Sequence, residues 1–136
     1  MMKNCPFDEL KQLVADADYY EIEVAGVFPG LNKILNKAKT SYIMYSELKK
    51  KYTGIFYYEF QVLPKMEQIV LGCKWYDKSL RRDPDNIESA VKFVLDGLVR
   101  ADVIENDGHK HVKGIFHVFG NDKKNPRVLL NIYNIK

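Results

Sequence analysis

Two aspartates flank a proline in Asp83-Pro84-Asp85-Asn86, directly after Arg81 and Arg82. Carboxylates at this spacing, at a helix start and beside basic side chains, suit a hard divalent cation held near a phosphate. Magnesium takes oxygen ligands and keeps several waters, so two or three carboxylates suffice to place it. A cation in that position polarises a phosphodiester and activates water. The same residues also make an ordinary helix opening, with Asp83 as N-cap and Pro84 in the first turn. Both readings stand at this level.

The element that must position these acids is a predicted amphipathic helix over Pro84–Ala101. At about 100° per residue, Ser89, Lys92 and Asp96 fall within about 40° of Asp85 and form a polar stripe. Ile87, Val91, Val94 and Leu98 cluster on the opposite face and are expected to pack on a sheet. Glu88–Lys92 and Lys92–Asp96 are also ordinary i,i+4 pairs. Asp107 lies beyond the helix, before a strand expected near Val112. If that strand runs back beside the helix, Asp107 returns to Asp83 and Asp85, and three close carboxylates call for a cation between them. His109 and His111 alternate at strand spacing and can share a face. A zinc site there lacks further ligands, because Cys5 and Cys73 are not at metal spacing.

The other elements follow from periodicity. Helices are predicted over Pro6–Ala17, Leu31–Lys39 and Ser41–Phe60, the last with Gly54 as a weak point, and Leu63-Pro64 ends that run. Strands are predicted over Tyr19–Val27, Gln68–Tyr76, Val112–Phe119 and Arg127–Ile135, with a hairpin expected between the last two. The order describes an α+β fold, a small sheet packed against helices. With 136 residues and no linker-like stretch, one domain over 1–136 is expected. At 46% hydrophobic and 29% charged residues, composition excludes a disordered chain. No stretch approaches the ~20 apolar residues of a membrane span, and no secretory leader is recognisable near the N-terminus. Two cysteines imply no bridge framework, so a reduced, cytoplasmic setting is expected.

A net charge of +3 says little about partners, but its distribution says more. Lys33, Lys37, Lys39, Lys49, Lys50 and Lys51 share their stretch with one acid, Glu47, and with Tyr42, Tyr45 and Tyr52. Clustered lysines with interleaved aromatics suit a polyanion surface. A solvated helix face with the tyrosines packed inward accounts for them equally well.

Taken together, Arg-Arg-Asp-Pro-Asp-Asn, the helix ending Leu95-Asp96-Gly97-Leu98, and Asn106-Asp107 before a strand resemble the RusA-type Holliday junction endodeoxyribonucleases, small enzymes often encoded by phages and prophages. The match covers about residues 81–119. A weaker one lies in Phe28-Pro29-Gly30-Leu31-Asn32 and the Lys/Tyr-rich helices after it. The resemblance implies that Asp83, Asp85 and Asp107 bind Mg²⁺, with Mn²⁺ able to substitute, and that no small-molecule cofactor is used. It also implies a homodimer, which fits a four-way junction resolved by two symmetric cuts. In the mechanism expected from it, a metal-activated water attacks the phosphorus and Lys92 stabilises charge on the phosphate. Arg81, Arg82 and the lysines of the Lys33–Lys51 cluster grip the DNA backbone. Two positions depart from the family. The helix behind Asn86 is longer than usual, so the motif lysine falls on Ser89 counting forward and on Lys92 counting back. Asn106 stands where the family often has Asp. The alternatives are a module that binds branched DNA without cutting it, and a structural phage protein whose Asp83 and Asp85 only cap a helix.

Overall fold

In the computed structural model, which describes residues 5–136, the chain runs through α1 (Pro6–Val14), β1 (Asp18–Ala25), α2 (Leu31–Thr40), α3 (Tyr42–Glu59), β2 (Gln68–Asp77), α4 (Pro84–Glu88), α5 (Val91–Arg100), β3 (Val112–Asn121) and β4 (Arg127–Ile135). A single 3-10 turn, Phe60–Val62, closes α3. The strands form one mixed sheet ordered β1-β4-β2-β3. β4 is antiparallel to both β1 and β2, and β3 is parallel to β2. The fold is α+β.

β2 sits inside the sheet because it is apolar on both faces. Ile69, Val70, Leu71 and Cys73 are all buried, and burial on both faces writes a near-continuous hydrophobic run. Ile69, Leu71, Cys73 and Trp75 join Val24, Val128, Leu130 and Ile132 on the face that packs against α3 and α5. Phe28, Phe56, Phe60, Phe93, Val94 and Leu98 fill that layer, with Phe28 and Phe56 ring centroids 5.1 Å apart. α3 and α5 approach closely at Gly97. A Cβ added there would stand 2.7 Å from Phe56 Cβ and 3.1 Å from the Tyr57 backbone nitrogen. On the other sheet face Phe116 lies across Gly72, which leaves no room for a side chain at that position.

Three expectations are corrected. The hairpin between the last two strands does not form. β2 lies between β3 and β4, and residues 122–126 carry the chain over its end, where Asp122 N–H donates to Asp77 O at 2.7 Å. The alternating pattern marks both strands but not their neighbour. A connection of this length spans the roughly 10 Å between next-nearest strands as well as it closes a hairpin. Asp122 shapes the crossing by accepting from Lys124 N–H, Asn125 N–H and the Arg127 guanidinium. That arginine hydrogen bond holds the Asp122 carboxyl below the usual range.

The predicted helix over Pro84–Ala101 is broken into α4 and α5. Ser89 Oγ donates to Asn86 O at 2.7 Å and takes the acceptor that Ala90 N–H would use in a continuous helix. Ala90 N–H turns instead to Ile87 O, and Phe93 N–H to Ala90 O. The break lets Ala90 and Phe93 both be fully buried. Ile87, Val94 and Leu98 are buried as expected, while Val91 is half-buried. α1 also stops at Val14, short of the Ala17 end expected for it.

Gly97→Ala is expected to lower unfolding stability by about 1–3 kcal/mol through overpacking against α3. Urea denaturation measures it, and an unchanged midpoint would show that α3 and α5 can separate freely at this crossing.

Candidate functional site

Asp83 caps α4 by position only, since its side chain accepts no backbone hydrogen bond. Asp85 accepts the N–H of Asn86 at 2.9 Å through Oδ1. Both acids are exposed, and among the described residues neither is in an ion pair. The next residue does the positioning. Asn86 Oδ1 accepts the backbone N–H of Asn32, in the first turn of α2, at 3.2 Å. Gly30 packs against the same amide so closely that no Cβ fits there. Asn86 therefore hooks α4 to the start of α2.

The two arginines before the acids behave differently. Arg82 Nε donates to the buried Asp77 Oδ2 at 2.8 Å, and its Nη1 donates to Phe28 O at 2.9 Å. Arg82, expected to grip DNA, ties the end of β2 to the segment before α2. Arg81 is exposed and keeps its guanidinium free of ion pairs among the described residues.

Beside the hook runs a groove in two stretches. One of about 250 Å³ is lined by residues including Asn32, Lys33, Tyr52, Arg82 and Asn86. The second, about 260 Å³, lies between α2 and α3 and is lined by residues including Lys33, Lys37, Lys51 and Tyr52. Lys33 and Tyr52 border both, and Glu47 also lines the second, so the groove runs from the α2–α3 pair to Asn86, next to the acidic turn. Of the other lysines, Lys39 and Lys50 are exposed, and Lys49 stands 3.8 Å from Asp96. Tyr45 and Tyr52 turn partly inward, and Tyr42 does not.

The remaining predicted site residues are not brought to Asp83 and Asp85. Lys92 Nζ donates to Tyr45 Oη at 3.0 Å, which directs it toward α3. Asp96, one turn further on, also turns to α3, where Lys49 stands 3.8 Å from it. Asp107 lies at the other end of the sheet. β3 begins with Val112 beside Ile69, whereas Asp83 follows the far end of β2 at Asp77. At about 3.3 Å per residue, Ile69–Asp77 spans roughly 25 Å. The condition that would have returned Asp107 to the other acids is not met, because β3 runs parallel to β2. Asn106 Oδ1 is occupied by Gly108 N–H at 2.9 Å. His109 is exposed and His111 is buried; both precede β3, in a turn, so they share no strand face. His111 Nδ1 lies 2.7 Å from Glu67 O; a carbonyl only accepts, so that nitrogen carries the proton.

The sequence reading passed over one constellation near α4. Trp75 Nε1–H donates to His117 Nδ1 at 2.9 Å. An indole only donates, so His117 Nδ1 accepts and Nε2 carries the proton. That N–H faces Glu88 at 4.0 Å. In this tautomer His117 has no lone pair to offer a metal. Burial holds its pKa below the ordinary histidine value, against the opposing pull of Glu88. The inward alternation of Ile115, His117 and Phe119 was readable, but the Trp75 partner depends on the β2–β3 pairing. Burial also pushes the Cys73 thiol up, which leaves no activated nucleophile there.

The acidic turn thus offers exposed oxygen donors next to a lysine-lined groove. No group of three His, Cys, Asp or Glu among the described residues comes together to hold a metal. No helix among them is long and apolar enough to cross a membrane. Compared with protein-family models and with curated proteins, the chain matches none.

Because the folded state disfavours the protonated form of His117, its contribution is full above the unfolded pKa near 6.5 and is lost as pH falls below it. His117→Gln keeps an acceptor for Trp75 and removes the titration. Urea midpoints of the wild type are expected to drop between pH 7.5 and 5.5 more than those of the variant; equal drops would remove His117 as the cause.

Proposed function

We propose that the protein is a magnesium-dependent endonuclease that acts on branched DNA, foremost the Holliday junction, as a homodimer. The observation that supports this most is the meeting at Asn86. The two separate segments that resemble the junction endonucleases, Phe28–Asn32 and Arg81–Asn86, are joined there by the Asn32–Asn86 hydrogen bond. Free carboxylates lie on one side of that joint and a lysine-bordered groove on the other.

The acidic turn suits magnesium. Its donors are carboxylate oxygens, both exposed, and magnesium uses one or two carboxylates with water and substrate phosphate completing the shell. Bound there, the ion would supply Lewis-acid polarisation of the phosphate and a water of lowered pKa. Asp83 and Asp85 would hold it, with Mn²⁺ able to replace it. Lys33, Lys37 and Lys51 carry the DNA backbone along the groove, and Arg81 adds a contact next to the acids. Lys39, Lys49 and Lys50 extend the basic surface. Lys92 can exchange a neutral phenol for a phosphate oxygen, a charge-assisted and therefore stronger partner.

Asp107 enters through the dimer. Within one chain it lies at the wrong end of the sheet. A two-fold pairing of antiparallel copies sets the Asp107 end of one against the Asp83 end of the other, so each site takes two carboxylates from one chain and one from its partner. The second reading, a protein that binds branched DNA without cutting it, is favoured by two engaged groups: Asn106 Oδ1 on Gly108 and Lys92 on Tyr45.

Asp85→Asn is expected to abolish Mg²⁺-dependent cleavage of a synthetic four-way junction on a denaturing gel while binding is kept. Persisting cleavage would remove the acidic turn from the mechanism, and intact strands with the wild type would favour the second reading. Mixing inactive Asp85→Asn with inactive Asp107→Asn is expected to restore single-strand nicking, because the mixed dimer rebuilds one complete site. No recovery in a mixture shown to exchange subunits would place each site within one chain.

A further inference from the structure

We infer that the α2–α3 corner is a wedge on which a base left unstacked at a DNA branch point stacks, with Tyr42 as the platform. This rests on the nucleic-acid reading above and adds to it how the branch itself is recognised. Tyr42 is 82% exposed and the adjacent Ile43 68% exposed, among the most exposed large apolar side chains of the described residues. The other two tyrosines of the cluster are engaged: Tyr45 by Lys92, and Tyr52 by packing against Phe28 and Phe93. Tyr42 has no such partner among the described residues.

The corner is built rigidly. Ser41 caps α3 by accepting Met44 N–H at 3.3 Å, and its own N–H donates to Lys37 O at 3.0 Å, closing α2. One residue thus terminates one helix and opens the next, and Tyr42 follows it directly. The caps fix the Tyr42 backbone, so only its side chain is left to order on binding. The charge around it selects the partner. On α3, Lys50 lies two turns beyond Ile43 on the same face, Lys49 stands beside it with Asp96 at 3.8 Å, and Lys39 precedes the corner. Lysines flanking an exposed ring match a phosphate backbone with a base beside it, the arrangement by which single-stranded nucleic acid is held. The same lysines oppose a second copy of this face across a two-fold axis, since like charges would then meet. A base inside a duplex has its faces covered, whereas a base at a branch exposes one, so the wedge favours branches over linear duplex.

The test uses the full-length protein with a four-way junction and a linear duplex of the same arm sequence, each carrying 2-aminopurine at the branch position or its equivalent. The wild type is expected to change 2-aminopurine emission at the branch and to bind the junction more tightly than the duplex. Tyr42→Ala is expected to lose the emission change and at least ~5-fold in junction affinity, with duplex affinity unchanged. Tyr42→Trp is expected to restore both. Lys50→Ala is expected to lower the salt slope of binding by about 0.9 and to leave the emission change in place. The wedge is overturned if Tyr42→Ala binds the junction with wild-type affinity and emission. It is also overturned if that substitution turns a dimer into a monomer in sedimentation, which would make the face a self-interface. A wild type that binds neither DNA overturns the nucleic-acid reading itself, and the wedge with it.

Discussion

Burial of both faces of β2 organises the rest of the molecule. Water is excluded from Ile69 and Leu71 on one side and from Val70 on the other, so the strand needs a neighbour along each edge and a cover on each surface. β4 and β3 supply the edges, and α3 with α5 supplies the main cover. The parallel β3 can be reached only by a crossover, which α4 and α5 provide. That crossover separates the acids. It begins at the Asp83 end of the sheet and ends at the Asp107 end, so the distance between them is a property of the topology and not of a side-chain rotamer.

Local elements were largely legible in the sequence. The strand patterns around Tyr20, Leu71, Phe116 and Leu130 and the helices on either side of Ser41 lie close to where periodicity put them. Long-range pairing was not legible. Alternation in Val112–Phe119 and Arg127–Ile135 marks strands without naming their partners, and the turn-rich segment between them serves a crossing as well as a hairpin. The helix break failed to register for a local reason. Ser89 reads as a tolerable helical residue, and only its competition for the Asn86 carbonyl ends α4. A wheel drawn through that break does not show that Lys92 reaches Tyr45 on α3.

Around the acids, the sequence conveyed residue types better than roles. Asp83 and Asp85 are exposed and form no ion pair among the described residues. Arg82 and Asn86 carry the structural work. One ties β2 to Phe28 and the other ties α4 to α2. Gly30 shows how tightly the second tie is drawn, because a methyl group there would collide with the Asn86 amide. Neither partner can be inferred from spacing, since each lies far away in the chain.

The Ser89 break has a mechanical meaning. A continuous helix would make the acidic turn a rigid extension of α5, and through α5 of the sheet. Cut at Ser89 and hooked at Asn86, α4 instead belongs to the helical layer that carries the lysines. The tie joins the first turn of α2 to the residue next to Asp85, so the start of α2 and the acidic turn hold one position relative to each other.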